Sequence, residues 1–574
     1  MKKLRWQLII VIIALIAIGI LLFGQQPVLQ AIVPEPATGG LYTEALIGSI
    51  SRLNPVLDFY NTVDQDVDRL VYSSLIRFDA HGNPTPDLAE SWGISVDGLV
   101  YNFKLRPDLV WHDGAPLTAN DVAFTVALLS DPEMPVPDDI KTLWEDVEVV
   151  VFDERNLQFR LPNAFAPFLD YLDFGIVPQH LLEGMSTVEL IDAQFNLAPI
   201  GSGPYQFEQL LVEDGQISGV VLYAFEDYYD ERAFIDQVIF LYFPDSATAF
   251  TAYQDGEVQG ISSVSLDVLP EALAEPELNM YTGVVPRLSL VFLNLDNQSV
   301  PFFQDVAVRE ALLTGLNRRW IIGRILEGQG ILADSPIFPG SWAYNEEVGH
   351  VEYDPDKAIS LLKNAGYVIP AEGSAVRELD GERLSFELVY PDTDLHAEIA
   401  EAIQRDWERL GVDVNLVAEP YDVLVQDYLE PRDYEAALID IDLAGTPDPD
   451  PYPFWHQSQA NSGQNYSQWD DRRASEYLEQ ARVTPRITDR IRMYKNFQVH
   501  FSRELPALLL YFPVYNYAVA DEVQGIQIGP VYEPNDRFVT IGDWFLLARG
   551  GGGEATEGTL TPEVTTEAES ETAP

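Results

Sequence analysis

The chain has 574 residues, too many for one hydrophobic core and enough for two or three domains. Its 34 Lys and Arg residues stand against 91 Asp and Glu residues, a formal net charge of -57, so phosphate backbones and anionic lipid surfaces would be repelled and nucleic acid is not expected as a partner. With 47% hydrophobic residues we expect a globular protein, and with no cysteine the chain has neither disulfides nor a lipidated cysteine.

The N-terminus has the pattern of a membrane-targeting segment. Lys2, Lys3 and Arg5 precede an apolar run at residues 8–23, the order found in signal peptides and signal anchors. No clear pair of small residues for signal peptidase follows, so we predict an uncleaved membrane anchor with the body outside the cytoplasm, and cleavage is the alternative. Residues 25–40, which include three prolines, predict a spacer, and folding is expected to begin near Leu41.

The middle of the chain alternates between strand and helix patterns. Alternating hydrophobicity predicts strands at residues 100–105, 384–390 and 412–417, whereas a period near 3.6 predicts helices at residues 307–316, 356–365 and 397–410. Gly366 and Gly411 directly follow the last two helices as stop signals. Interleaved strands and helices indicate an α/β, mixed α+β, fold.

The C-terminal residues 548–574 contain four consecutive glycines and then mostly Thr, Glu, Pro and Ala. Their apolar content is too low to offset the entropy of ordering, so we predict a disordered acidic tail. No Gly-rich phosphate loop follows any predicted strand of the chain, so no nucleotide or other cofactor is expected.

Three neighbouring motifs carry a family resemblance: DLAESW at residues 87–92, YNFKLRP at 101–107 and WHDGAPLTANDV at 111–122. Three more follow in the family's order, GSGPY at 201–205, PFFQDVAVREAL at 301–312 and YDPDKA at 353–358. Over nearly all of residues 41–547 the chain resembles the extracellular solute-binding proteins that serve peptide, oligopeptide and nickel ABC importers.

The resemblance implies a two-lobed periplasmic-binding-protein-like fold that encloses its ligand between the lobes. The first lobe would comprise residues 41–283 plus 505–547, with an extra subdomain at about 76–196, and the second lobe residues 284–504. The hinge would be crossed near Val284 and Glu504. The implied function is capture of peptides and their delivery to the permease subunits of an ABC transporter, by a monomer that is not an enzyme.

The signature around His112 invites a catalytic or metal interpretation, but its local pattern is strand, turn and helix start. Asp113 and Gly114 predict the turn, and Thr118 with Asp121 resembles a capping box at the start of a helix. We therefore expect these residues to build structure rather than to contact ligand.

The predicted ligand loop is DIDLAGTPDPDPYPFWH at residues 440–456, where carboxylates, prolines and aromatics follow a short apolar strand. Asp448 or Asp450 would meet the free amine of a peptide, because a buried ammonium without a partner is costly. In dipeptide- and oligopeptide-binding members an aspartate of the corresponding loop takes this role, and one alignment places Gly445 at its position. In the alternative, both aspartates cap turns and lie in solvent.

Three other side chains are candidates with open alternatives. Tyr452 and Trp455 could offer a platform to the ligand or pack in the core or hinge. Asn294 ends a strand near a predicted hinge crossing and could face the cleft. His456 with Asp450 and His112 suggests a metal, but the 7 histidines are scattered and no metal site is predicted.

The ligand and the wider role stay open between several classes. An oligosaccharide or a nickel or metal chelate could replace the peptide, and the strong acidity favours cationic peptides. A surface receptor or chaperone could use the same fold without a permease. A hydrolase in which Asp448 and Asp450 serve as acid and base is disfavoured, because one proline-rich loop would carry both carboxyls.

Overall fold

The computed structural model describes residues 36–79, 82–371, 373–443 and 446–547. It divides into two units, Met1–Ala37 with Leu546–Pro574 and Thr38–Phe545, and the main sheet and its cores belong to the second unit. Within the described ranges no helix combines the length and the apolar character needed to cross a bilayer. The predicted anchor at residues 8–23 and the predicted tail at 548–574 lie outside the described residues.

The strands are β1 Leu41–Ile47, β2 Ile76–Phe78, β3 Pro84–Pro86, β4 Ala89–Ile94, β5 Val100–Leu105, β6 Glu148–Val151, β7 Asn156–Arg160, β8 Tyr205–Glu213, β9 Gln216–Ala224, β10 Gln237–Phe243, β11 Gly260–Ile261, β12 Leu278–Val284, β13 Arg287–Leu293, β14 Gly330–Leu332, β15 Glu378–Leu379, β16 Glu382–Arg383, β17 Ser385–Pro391, β18 Asp413–Glu419, β19 Ala436–Asp442, β20 Ala507–Ala520, β21 Val523–Gln524 and β22 Phe545–Leu546.

The α-helices are α1 Thr62–Val71, α2 Ala119–Leu129, α3 Asp138–Glu145, α4 Gln179–Leu182, α5 Thr187–Ile191, α6 Ser246–Gln254, α7 Leu269–Ala272, α8 Val306–Thr314, α9 Arg318–Trp320, α10 Pro355–Asn364, α11 Asp394–Glu408, α12 Tyr421–Val423, α13 Tyr452–Trp455, α14 Arg472–Val483 and α15 Ile487–Glu504. The 3-10 helices span Ala166–Leu172, Gln194–Leu197, Pro301–Gln304, Gln457–Gln459, Pro534–Phe538 and Ile541–Asp543, and π-helical turns span Ile321–Ile325 and Leu424–Leu429.

The main mixed sheet has the strand order β18-β17-β19-β13-β20-β11-β1-β10-β9-β8. The long strand β20 lies between β13 and β11 and so connects the strands on its two sides. The first residues of β20 pair with β13 and β14, and its last residues pair with β12 and β11. Its sequence, ALLLYFPVYNYAVA, is almost continuously apolar, as expected for a strand covered on both faces. Pairing with β13 extends to Tyr511, beyond the predicted crossing at Glu504, and the lobe boundaries stay a prediction.

A second, four-stranded sheet has the order β4-β5-β7-β6. The strand predicted at residues 100–105 has those bounds as β5, and its side chains alternate between buried and more exposed. The predicted capping box is confirmed at the start of α2, where the backbone N–H of Thr118 donates to Oδ2 of Asp121 over 2.7 Å.

The predicted helices and strands of residues 356–417 include a βαβ unit. Strand β17 runs parallel to β18, and the 15-residue helix α11 connects them. Gly411, at φ 85°, makes the turn that leads into β18, a conformation that favours glycine. The mixed α/β fold class predicted from the sequence is confirmed.

Successive residues of the central strands enter two different cores. Leu290 and Phe292 belong to one buried cluster, whereas Val291 and Leu293 belong to another. Leu508 and Leu509 of β20 divide between the two clusters in the same way. Because side chains alternate across a strand, this part of the sheet lies between two apolar layers.

Candidate functional site

Arginines pair with both carboxylates of the predicted ligand loop. Asp448 is 3% exposed, and its Oδ2 lies 2.5 Å from Nη1 of Arg490. Nε of Arg482 donates to Oδ2 of Asp450 over 2.7 Å. Since Asp448 is buried and Asp450 is paired, the alternative that both lie in solvent is wrong. A contact of either carboxylate with ligand stays a prediction.

The aromatic candidates of this loop have partners inside the protein. Trp455 is fully buried and meets Phe501 edge-to-face, with 4.7 Å between ring centroids. The guanidinium of Arg482 lies 4.0 Å from the ring centroid of Tyr452, a cation-π contact. Both rings therefore stabilise the loop and its neighbours, and their role as a ligand platform stays a prediction.

Asn294 bonds to the backbone at the end of β13. Its side-chain amide donates to the carbonyls of Arg432 and Tyr434 over 3.0 and 2.9 Å. The side chain is 1% exposed, and its two hydrogen bonds connect the end of β13 to the segment that precedes β19. Its predicted position at a strand end agrees with the structure, and its ligand role stays a prediction.

The loop also contacts a segment distant in the sequence. The backbone N–H of Asp448 donates to the carboxylate of Asp170, in the 3-10 helix Ala166–Leu172. Burial, and then the charge of Asp448, raise the pKa of Asp170 well above its ordinary value. The neighbouring Thr446 and Pro447 line a cavity together with Asp170.

Two adjoining cavities lie beside α1. Cavity A has a volume of about 190 Å³ and is lined by Phe59, Arg69, Phe78, Leu129, Ile140, Trp144, Asp170, Tyr171, Asp173, Phe174, Thr446, Pro447, Tyr532, Glu533, Asn535 and Asp536. Cavity B has a volume of about 160 Å³ and is lined by Pro55, Asp58, Phe59, Gln65, Asp68, Arg69, Tyr72, Ser74, Asp173, Phe174, Gly175, Glu533 and Asn535. Each cavity is smaller than the roughly 300–1,000 Å³ typical of ligand pockets, and together they reach the lower end of that range.

Carboxyl groups outnumber cations in these walls. Arg69 is the one basic side chain among the lining residues, and its guanidinium forms ion pairs with Asp173 at 3.2 Å and Asp536 at 3.9 Å. Arg69 thus neutralises part of the negative charge of Asp173 and Asp536. Among the described residues, the other carboxyl groups that line the cavities have no cationic side chain this close.

A carboxyl pair lines cavity B without a cation. The carboxyls of Asp58 and Asp68 lie within hydrogen-bonding reach of each other, and burial raises the pKa of both well above the ordinary value. Both Oδ atoms of Asp68 are buried, and no donor of the described residues bonds to them. The backbone N–H of Asn54 lies close enough to lower the pKa of Asp68, and it donates to the carbonyl of Arg52 over 2.9 Å. Two ionised carboxylates can only accept, so a shared proton or an external cation is needed between them.

Two further acids of this region have raised pKa values. Burial, followed by the charge of Asp536, raises the pKa of Glu533 to about 7. Burial raises the pKa of Asp64 to about 6, although the backbone N–H groups of Ser51 and Arg52 donate to its carboxylate. The region therefore changes charge close to neutral pH.

Comparisons with known proteins identify the family of the chain. The model of the bacterial extracellular solute-binding proteins, family 5 middle, matches residues 83–465. The chain belongs to this family. Membership in this extracellular solute-binding family places the body of the protein outside the cytoplasm, and the resemblance seen in the sequence motifs is confirmed.

Family 5 relatives match over most of the chain. The oligopeptide-binding protein AppA of Bacillus subtilis is 28% identical over 535 residues, which cover 89% of this chain and 92% of AppA. The dipeptide-binding protein of Escherichia coli is 28% identical over 521 residues, 86% of this chain and 93% of the relative. A solved structure of the Bacillus subtilis AppA with a nonapeptide matches at a TM-score of 0.65 and 26% identity, covering 90% of this chain and 100% of the AppA chain.

The family motifs at residues 111–122 and 201–205 contact each other. Nδ1 of His112 accepts from the backbone N–H of Gly201 over 3.2 Å, and burial lowers the pKa of His112 to about 4. A Cβ on Gly201 would lie 1.9 Å from the carbonyl oxygen of Val71, so this position requires glycine. The described residues contain no group of His, Cys, Asp and Glu arranged to hold a metal. The contact between the two motifs is structural, and the absence of a ligand contact at His112 stays a prediction.

Sequence reasoning missed the acids of α1. Asp64 and Asp68 lie four residues apart, and Val67 and Val71 complete the same face. All four side chains are buried. The sequence signal that could have found them is the presence of carboxylates on the apolar face of a short helix. Because carboxylates are rarely buried without a partner, this pattern predicts a functional or paired acid.

Proposed function

We propose that this chain captures peptides outside the cytoplasm and delivers them to the permease of an ABC transporter. The observation that carries the proposal is the pair of acid-lined cavities beside α1. A carboxylate in a site with little water can offset the cost of burying a peptide ammonium. Full-length similarity to relatives named for oligopeptides and dipeptides supports the same ligand class.

The test is to identify what the full chain binds when it is purified gently in detergent from its host. Native mass spectrometry followed by gentle denaturation should release short peptides. Added peptides should raise the melting temperature, because a ligand at about 100 times its Kd stabilises the folded state by about 2.7 kcal/mol. A chain that is empty and that no peptide pool stabilises would contradict the proposal, whereas a released sugar or metal chelate would change the ligand class.

Binding without turnover is part of the proposal. The hydrolase alternative used Asp448 and Asp450 as acid and base, yet both carboxylates form ion pairs with arginines. Such engaged groups are poorly placed to exchange protons with a substrate. Bound peptides should be recovered intact after prolonged incubation, and the appearance of cleavage products would restore the enzyme alternative.

Anchoring by residues 8–23 and a monomeric state complete the proposal. The basic residues before this apolar run support retention of the N-terminus in the cytoplasm. Protease added to intact cells should degrade the body of the protein, and the solubilised chain should sediment as a single copy. Release of the body into the medium would show instead that the segment is cleaved.

A further inference from the structure

We propose that the paired carboxyls of Asp58 and Asp68 form a subsite of cavity B that takes a cationic organic group of the ligand, an ammonium or a guanidinium. This inference rests on the proposed function and specifies which chemical group of a peptide Asp58 and Asp68 recognise.

The first support is the unmet hydrogen-bonding capacity of Asp68. This residue is 4% exposed, its two carboxylate oxygens are buried, and no donor among the described residues bonds to them. Asp64 of the same helix differs, because backbone N–H groups of Ser51 and Arg52 satisfy its oxygens at 2.7 and 2.9 Å. Asp68 therefore has acceptors at cavity B that an external donor can use.

The second support is the distribution of charge. Arg69, the basic residue in the wall, reaches Asp173 and Asp536, and the described residues place no ion pair on Asp58, Asp68 or Glu533. Glu533 lines both cavities, and its charge raises the pKa of Asp58. A ligand cation would take the place of the protons that limit repulsion among the three carboxyls.

The third support is the size and chemistry of the space. A water needs roughly 10–15 Å³ of such volume, so cavity B, at about 160 Å³, has room for the end of a side chain. Phe59 and Phe174 line both cavities and offer apolar contact to a methylene stem. Because the described residues contain no cluster suited to a metal ion, an organic cation fits better than a divalent metal.

The experiment compares matched tripeptides on the full chain by calorimetry. The peptides are trialanines with one lysine, or its neutral isostere norleucine, at each position, and an N-acetylated set removes the other ammonium. The natural chain should prefer the lysine peptide about tenfold or more at one position, the usual advantage of a charge-assisted hydrogen bond. If the amine is the bound group, acetylation should instead cause a loss of this size.

The double variant Asp58→Asn with Asp68→Asn should lose the preference for the cationic peptide over its norleucine isostere. Asparagine resembles a protonated aspartic acid, so this variant keeps the shape of the pair. Asp356→Asn with Asp433→Asn is the matched control, because both residues are exposed and the net charge changes equally. If the double variant fails to fold, Glu533→Gln tests the same cavity with one neutral replacement.

The outcomes separate this inference from the proposed function. A natural chain that binds none of the peptides would contradict peptide capture itself. Binding without a cation preference, or a preference that survives in the Asp58 and Asp68 variant, would overturn only the subsite. A preference that the control variant loses equally would overturn it too, since the long-range field of the acidic protein would then be the cause.

Discussion

Replacing Glu533 with glutamine should stabilise the unliganded protein at alkaline pH. Burial, followed by the charges of Asp536 and Asp173, raises the pKa of Glu533 from 4.5 to about 7, against the opposing effect of Arg69. The pKa of this carboxyl is higher in the folded state than in the unfolded state. Its contribution to the stability of the folded protein is therefore complete at pH values below the unfolded-state pKa, and it is lost as the pH rises through the folded-state pKa. Its ionisation above neutral pH costs about 3 kcal/mol, a cost that glutamine avoids.

The assay is urea unfolding of the natural chain and Glu533→Gln between about pH 5 and pH 8. The stability of the variant relative to the natural chain should increase by about 2 kcal/mol over this interval, because most of the ionisation occurs within it. Glu382→Gln, at an exposed position of β16, removes the same charge away from the cavities and should show no such increase. Equal pH dependence in the natural chain and Glu533→Gln would refute the reasoning.

Two structural predictions follow from buried contacts. Arg490→Met leaves the buried carboxylate of Asp448 without its cation and should lower the free energy of unfolding by about 3–5 kcal/mol; a loss below about 1 kcal/mol would mean that the pair contributes little. Gly201→Ala should prevent folding or destabilise strongly, because its Cβ would meet the carbonyl of Val71, whereas Gly93→Ala has no neighbour within 4 Å and should be tolerated. Near-normal thermal unfolding of the Gly201 variant would contradict the close approach.

The ligand loop shows how far local sequence reasoning extends. Its carboxylates and aromatics are recognisably unusual in the sequence, and the position of Trp455 in the core is one of the two alternatives that the sequence leaves open. Local sequence could not identify the partners of Asp448 and Asp450, because Arg490 and Arg482 come from helices that follow later in the chain. A carboxylate that neutralises an arginine and one that binds a ligand look alike in sequence.

The sequence by itself determined the α/β class, the main helices and strands of residues 356–417, the capping box at Thr118 and the family. These features depend on periodicity, turn chemistry and motifs within short stretches, where neighbouring residues fix the local conformation. Only the tertiary structure decided which acids have partners. It brings Asp58, Asp68 and Glu533 to one cavity from separate segments, while Arg69 is directed to other acids. Electrostatic compensation depends on distance and burial in the folded chain, and the local pattern specifies neither quantity.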